Sequence, residues 1–214
     1  GGYLSICSGI KGYNVTITNG AQSGLASVAY AMDILRKGTE EAILATGTDE
    51  NIEIINTIYN QENKIAQTVN VPYANKNGFT LSDGSVSILL EDKAAATKRG
   101  AKAYAKVSGY GMAHKSVAFN TIENSSSALV KAINDSLADA NVSVNDIDAI
   151  AGFANGDKLI DAEETKALNE VFKNLNSLPI INLKEALGEQ RSAGAALGVA
   201  HTALLLSGEL KETS

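Results

Sequence analysis

The chain has 214 residues, 44% hydrophobic and 20% charged, with 18 Lys and Arg against 24 Asp and Glu for a net charge of −6. That composition can bury a core, which excludes a disordered chain, and its acidity lacks the electrostatic footprint of a nucleic-acid binder. One cysteine, Cys7, excludes an internal disulfide framework, and no apolar run approaches the ~20 residues of a membrane span. With no basic-then-apolar leader in the sequence, the expected compartment is the cytoplasm.

Along the chain, Tyr13 to Thr18 alternates Val15 and Ile17 and reads as a strand. Ser23 to Lys37 carries Leu25, Val28, Ala29, Met32 and Leu35 at helical spacing, and Gly38 closes the helix. Ala42 to Ala45 is a short apolar strand. Residues 51 to 77 are polar and Asn-rich, irregular with at most one helix. Ser85 to Glu91 is a strong strand, Asp92 to Arg99 a short helix and Ala103 to Val107 another strand. The alternation then repeats. A helix spans Ser126 to Ala140, with Leu129, Val130, Ile133 and Leu137 on one face. A strand follows at Ile147 to Ala151, a helix at Asp161 to Phe172, a strand at Leu178 to Ile181 and an apolar helix at Ser192 to Leu206. Strands alternating with helices predict an α/β fold with a mostly parallel sheet. The spacing of Gly194 and Gly198 in the last helix reads as close core packing.

Residue chemistry alone points to no catalytic apparatus. Neither GxGxxG nor a Walker A sequence is present. Cys7 reads as a small apolar residue near a strand end. His114 falls in a turn and reads as solvated, and His201 lies in the apolar last helix as a packed or edge histidine. Two separated histidines and one cysteine do not make a zinc site. Asp157, Asp161, Glu163 and Glu164 match no calcium loop and read as a solvated helix start that complements the macrodipole. Neither a metal nor an organic cofactor is expected.

Ordered blocks across nearly the whole chain resemble the β-ketoacyl synthase family. Gly12 to Leu25 (GYNVTITNGAQSGL) is similar to its nucleophile region, G-P-N-x-T-I-x-T-A-C-x-S-G. Gly47 loosely matches a Gly-Gly-x-Glu turn, and Gly78 to Gly84 (GFTLSDG) looks like G-F-V-x-G-E-G. Lys98 to Ala105 resembles the R-G-A-x-I-Y-A segment. Gly152 to Asp161 aligns without gaps on A-H-G-T-G-T-P-L-N-D, and Asn182 to Glu189 on S-T-K-S-x-T-G-H. The resemblance implies a partial thiolase-like layered α/β/α/β/α fold. Residues 1–100 would be the end of its N-terminal half and residues 101–214 most of its C-terminal half. About half of a ketosynthase is represented, so incomplete sheets and a partner are expected.

The family uses a cysteine thiolate at a helix N-terminus to take the acyl chain, and two histidines to promote decarboxylation. Position by position, the cysteine falls on Ala21, the first histidine on Phe153 and the second on Glu189. A one-residue slip would put Gln22 at the nucleophile position instead. Lys184 falls on the family's lysine, and Asp161 and Glu164 on its acidic positions, three residues apart and so on one helix face. These read as vestigial or structural, with a Lys184–Glu164 pair expected. Asn14, Val15, Thr16, Ile17 and Thr18 correspond to the strand that pairs across the family's two-fold. The pattern resembles a chain-length-factor, or ketosynthase-β, subunit. Such a subunit pairs with an active ketosynthase, as a heterodimer, to shape the cavity for a chain delivered by acyl carrier protein in type II polyketide, aryl-polyene or fatty-acid-like elongation. Two alternatives stand beside it: a stand-alone acyl-binding or scaffold protein, and a decarboxylase using Glu189 or His114 as its base.

Overall fold

A computed structural model describes residues 2–68, 71–74, 77–117 and 122–210. The elements in chain order are α1 (Gly2–Ser8), α2 (Ser23–Arg36), β1 (Ala42–Asp49), α3 (Glu53–Gln61), β2 (Gly84–Glu91), α4 (Lys93–Lys98), α5 (Ser126–Ala140), β3 (Ile150–Ala151), α6 (Lys158–Val171), β4 (Ile180–Ile181), α7 (Lys184–Leu187) and α8 (Ser192–Ser207). Short 3₁₀ turns cover Val144–Asp146 and Leu175–Ser177.

Local chemistry sets the helix ends. The α2 helix stops where Gly38, at φ +68°, returns its N–H to the Leu35 carbonyl. The α5 helix ends at Asn141 in the left-handed conformation, with the N–H groups of Asn141 and Val142 closing on Ala138 and Leu137. Asp92 and Asp157 cap α4 and α6 through their carboxylates.

β1 and β2 pair antiparallel over eight residues, from Ala42↔Glu91 to Asp49↔Gly84. The side chains alternate between two faces. One face carries Ile43, Ala45, Ile88 and Leu90, which pack with Val28, Ala31 and Leu35 of α2. On the other face Leu44 and Leu89 stand opposite each other, 45% and 54% exposed. The α8 helix crosses α2, β1 and β2 and continues to β3, so it joins the two halves of the chain. This crossing depends on absent side chains. A Cβ on Gly47 would lie 2.6 Å from the Ser192 carbonyl oxygen and 3.0 Å from the Gly24 Cα, and one on Gly24 would collide with the same carbonyl.

The strands differ from expectation in pairing. The described residues form two separate two-stranded sheets, β1–β2 antiparallel and β3–β4 parallel, rather than one mostly parallel sheet. Residues 13–18 and 103–107 form no strand, because among the described residues no strand pairs with them to complete a ladder. Tyr13, Val15, Tyr104 and Val107 are left exposed. The strands expected at 147–151 and 178–181 shrink to the two-residue overlap of β3 with β4. Conversely β1 runs on through Gly47 to Asp49, so Gly47 is a strand residue and not a turn. Leu25, expected on the buried face of α2, is exposed. Cys7 lies exposed on α1, not at a strand end. The predicted helix at 126–140 forms with the same bounds, and a helix, α3, forms within the irregular stretch 51–77, part of which lies outside the described residues. Among the described residues no helix is long and apolar enough to cross a membrane.

Candidate functional site

The acidic side chains at the start of α6 are buried, not solvated. Asp157, Asp161 and Glu164 are each under a tenth exposed, and every one gathers backbone N–H groups. Asp161 Oδ1 accepts from Asn155 and Gly156 at 3.0 and 3.1 Å, and its Oδ2 accepts from Tyr73 at 2.7 Å. Glu164 accepts from the N–H of Phe153 at 2.8 Å and of Ala154 at 2.6 Å, and from the Tyr73 hydroxyl at 2.8 Å. Glu163 turns the other way and caps α5 through the Ser126 N–H at 2.7 Å. Burial opposes its charge, but the N–H groups of Ser126 and Asn124 outweigh that and lower its pKa. Asp157 also meets the Lys64 ammonium at 3.1 Å. Carboxylates saturated this way have no call for a cation, and among the described residues no cluster is placed to hold one.

This network fixes segment 152–157, and the residues opposite complete the site. Lys184 Nζ donates to the Phe153 carbonyl at 2.6 Å and to Glu189 Oε2 at 2.9 Å, and it sits 3.7 Å from the centre of the Phe153 ring. Both charged side chains are nearly sealed from solvent, at 7% and 4% exposure. Glu189 also accepts from Asn155 Nδ2 at 2.8 Å and from the Arg191 N–H at 2.6 Å. Three donors on one carboxylate compensate its burial. The ion pair of Lys184 is therefore with Glu189, not with Glu164 as expected. Glu164 instead spends its oxygens on backbone and Tyr73.

Three devices hold Glu189 in place. Gly188, at φ +78°, turns the chain back after α7. The Glu189 backbone is laced to the 80–82 segment, its N–H to Thr80 at 2.7 Å and its carbonyl from Ser82 at 3.2 Å. Arg191, at φ +48°, is pinned by its guanidinium to Asp49 and to the Glu50 carbonyl. Asp49 also accepts the Ser192 N–H and so caps α8.

Phe153, Lys184, Glu189, Asp161 and Glu164 are thus brought together. The Gln22 side chain makes no hydrogen bond to this cluster. Gln22 is exposed at the start of α2, and that turn is closed by Ser23 Oγ, which accepts from Asn19 N–H and donates to the Gly20 carbonyl, both at 2.7 Å. The start of α2 nevertheless meets the start of α8 through Gly24 and Ser192. His114 is exposed, and His201 lies on α8 with Nδ1 sealed inside.

Two residues essential to the cluster escaped the sequence reading. Asn155 bridges Glu189 and the Asp157 N–H. Tyr73, at φ +64°, sends both its N–H and its hydroxyl into the acidic pair. Burial first, and then Glu164, push the Tyr73 hydroxyl pKa far above its ordinary value. The available signal was an aromatic after Pro72 in an otherwise polar stretch.

Comparison with known proteins agrees with this architecture. The family model for the β-ketoacyl synthase N-terminal domain matches residues 1–96, and that for the C-terminal domain matches residues 104–211. A putative mitochondrial 3-oxoacyl-[acyl-carrier-protein] synthase of Schizosaccharomyces pombe is 28% identical over 95% of this chain and 51% of its own length. The oxytetracycline polyketide putative β-ketoacyl synthase 1 of Streptomyces rimosus is 28% identical over 88% of this chain and 46% of its own. Among solved structures, the ishigamide ketosynthase/chain length factor superposes with a TM-score of 0.84 at 26% identity, over 91% of this chain and 48% of that one. The chain spans about half the length of the curated relatives it matches. With both halves of the family's model matched in order and the thiolase-like ketosynthase fold shared, the chain belongs to the β-ketoacyl synthase family.

Proposed function

We propose that this chain is a non-catalytic ketosynthase-like subunit of the chain-length-factor type, with residues 1–100 and 101–214 serving as parts of the two thiolase-like halves. It pairs with a cysteine-bearing β-ketoacyl-acyl-carrier-protein synthase in type II polyketide, aryl-polyene or fatty-acid-like elongation. The carrying observation is the closed set of contacts among Phe153, Lys184 and Glu189, at positions where the family places its two histidines and lysine. Phenylalanine has no proton to give. Glu189 is ion-paired and holds three donors, so it is occupied as an acceptor and, being anionic, repels a developing enolate. Ala21 offers no nucleophile, and the one cysteine is on α1. The exposed apolar residues Tyr13, Val15, Leu44 and Leu89 support a partner, with residues 14–18 as the proposed interface element.

The test measures malonyl-carrier-protein decarboxylation and acyl condensation. The chain alone should do neither. Co-purified with a cysteine-bearing ketosynthase it should form a heterodimer that condenses. Condensation by the isolated chain would overturn the proposal. A stable homodimer that binds acyl carrier protein but no ketosynthase would favour a scaffold.

A further inference from the structure

The turn that leads into α8 has a conformation that its sequence disfavours. The Gln190 carbonyl accepts the Ala193 N–H at 3.1 Å, so residues 190–193 close a β-turn with Arg191 in its second position. Arg191 has φ +48° and ψ −115°, the values of a type II′ turn, where glycine is the usual occupant. A side chain held there is strained and persists only where the surrounding contacts over-determine it. Arg191 is held from both sides. On its amide side, the Arg191 N–H donates to Glu189 Oε1 at 2.6 Å, and Gln190 Nε2 ties the preceding residue to the Asp83 carbonyl at 3.2 Å. On its Cα side, the guanidinium holds Asp49 and the Glu50 carbonyl, and the Ser192 N–H donates to Asp49 Oδ2 at 3.2 Å. The N–Cα bond of Arg191 joins the two sides. Returning φ to a value near −60° would swing the side chain and carbonyl through roughly 110° relative to the N–H. Both sets of contacts are met together at the positive φ.

We propose that Arg191 is a torsional coupler, through whose φ angle the Asp49 carboxylate, at the end of β1, positions the Glu189 carboxylate. Asp49 and Glu189 are both acceptors and exchange no hydrogen bond, so the coupling runs through the backbone. With the clamp in place, the strained form holds and the Arg191 N–H stays on Glu189 Oε1. Without the clamp, an L-residue at 191 relaxes to negative φ and its N–H leaves Glu189, which keeps Asn155 and Lys184 alone. Glycine at 191 takes the positive φ with no clamp. Asp49 and Arg191 are thus positioning residues, and the inference does not depend on the catalytic status of the site.

Native-state hydrogen exchange of the residue-191 amide, read by NMR on the full chain, tests this coupling. Asp49→Ala removes no partner of that amide, yet it should lower its protection roughly tenfold, the order of the strain released. Adding Arg191→Gly should restore it, whereas fraying of α8 after loss of its Asp49 cap would not be rescued by glycine. As single changes, Arg191→Ala should lose the protection and Arg191→Gly should keep it. Side-chain contacts alone would give the reverse order, because glycine loosens a backbone more than alanine does. Unchanged protection in Asp49→Ala, a loss that glycine does not rescue, or equal losses in the two Arg191 variants would overturn the proposal. Amides of α5 control for global unfolding. The parent chain supplies a reading that no variant's folding affects. Positive φ at Arg191 gives a strong cross-relaxation peak between its amide and α-protons, and a weak peak would overturn the proposal too.

Discussion

Replacing Glu189 with glutamine isolates the charge of the central ion pair while keeping its shape. Lys184, 7% exposed, would keep the Phe153 carbonyl at 2.6 Å and the aromatic ring but lose its anion. Removing one member of a buried pair costs about 3–5 kcal/mol, because the remaining charge is stranded. The retained carbonyl and cation–π contact offset about 1 kcal/mol of this, so the expected loss is about 3 kcal/mol. With a urea slope of about 2 kcal/mol/M, the unfolding midpoint falls by about 1.5 M. Circular dichroism during urea titration measures it. The double variant Lys184→Met/Glu189→Gln removes both charges and should recover at least about 1 kcal/mol of the loss, a coupling of the size expected for residues in contact. A Glu189→Gln midpoint within about 0.3 M of the parent would refute the reasoning. So would a double variant that is the sum of its singles.

Further predictions follow from neighbouring contacts. Tyr73→Phe removes the hydroxyl from Glu164 and should cost about 1–2 kcal/mol in the same titration, with α5 unaffected by amide exchange. Gly47→Val drives a branched side chain into the Ser192 carbonyl and should abolish the cooperative unfolding transition, whereas Gly198→Val should not. Stability should fall on acidification. Asp139, held by the Tyr110 N–H and Arg36, and Glu163, held by Ser126 and Asn124, have pKa values below the ordinary 3.8 and 4.5 of their side chains. Depressed carboxylates contribute above those values and lose their contribution as pH falls through the folded pKa. Tyr73 acts at the other end. Its raised pKa stabilises fully below the ordinary value of 10.0, and that contribution is lost as pH climbs beyond it. Tyr73→Phe should therefore flatten the alkaline limb of a stability–pH profile.

Helices were more legible in the sequence than strands, for a physical reason. A helix satisfies its backbone internally, so the spacing of Leu129, Val130, Ile133 and Leu137 and the Asn141 cap are enough to place α5. A strand needs a neighbour. Residues 13–18 and 103–107 have strand-like composition, but no ladder partner pairs with them among the described residues. The contacts of the cluster were less legible than its members. Alignment brought Phe153, Lys184 and Glu189 together, yet it paired Lys184 with the wrong acid. The left-handed turn at Gly188, which swings Glu189 back beneath Lys184, is a tertiary consequence of lacing to Thr80. Asn155 and Tyr73 carried no periodic or motif signal that singled them out.

On the proposed reading, in which Ala21, Phe153 and Glu189 stand at the family's catalytic positions, adding a thiol alone should not give chemistry. In a Cys7→Ser/Ala21→Cys variant the new thiol, one residue before the Gln22 N-cap of α2, should react with iodoacetamide. Malonyl-carrier-protein decarboxylation should stay undetectable. The enolate would face the Glu189 carboxylate. At about 4 Å and an effective dielectric of 20, the repulsion between two unit charges is about 4 kcal/mol, or about three orders of magnitude in rate. The Lys184 partner screens part of this but cannot supply the missing proton donor. Adding Glu189→His removes the repulsion and also strands Lys184, so that variant should bind better in principle and fold worse in practice. Only with Phe153→His as well does the site carry two donors in place of a carboxylate and a ring. The expected order is no decarboxylation with Ala21→Cys, none with Ala21→Cys/Glu189→His, and measurable turnover in the triple variant. Turnover by Ala21→Cys alone would show that Glu189 and Phe153 do not disable the site, and the non-catalytic reading would then rest on the missing thiol only.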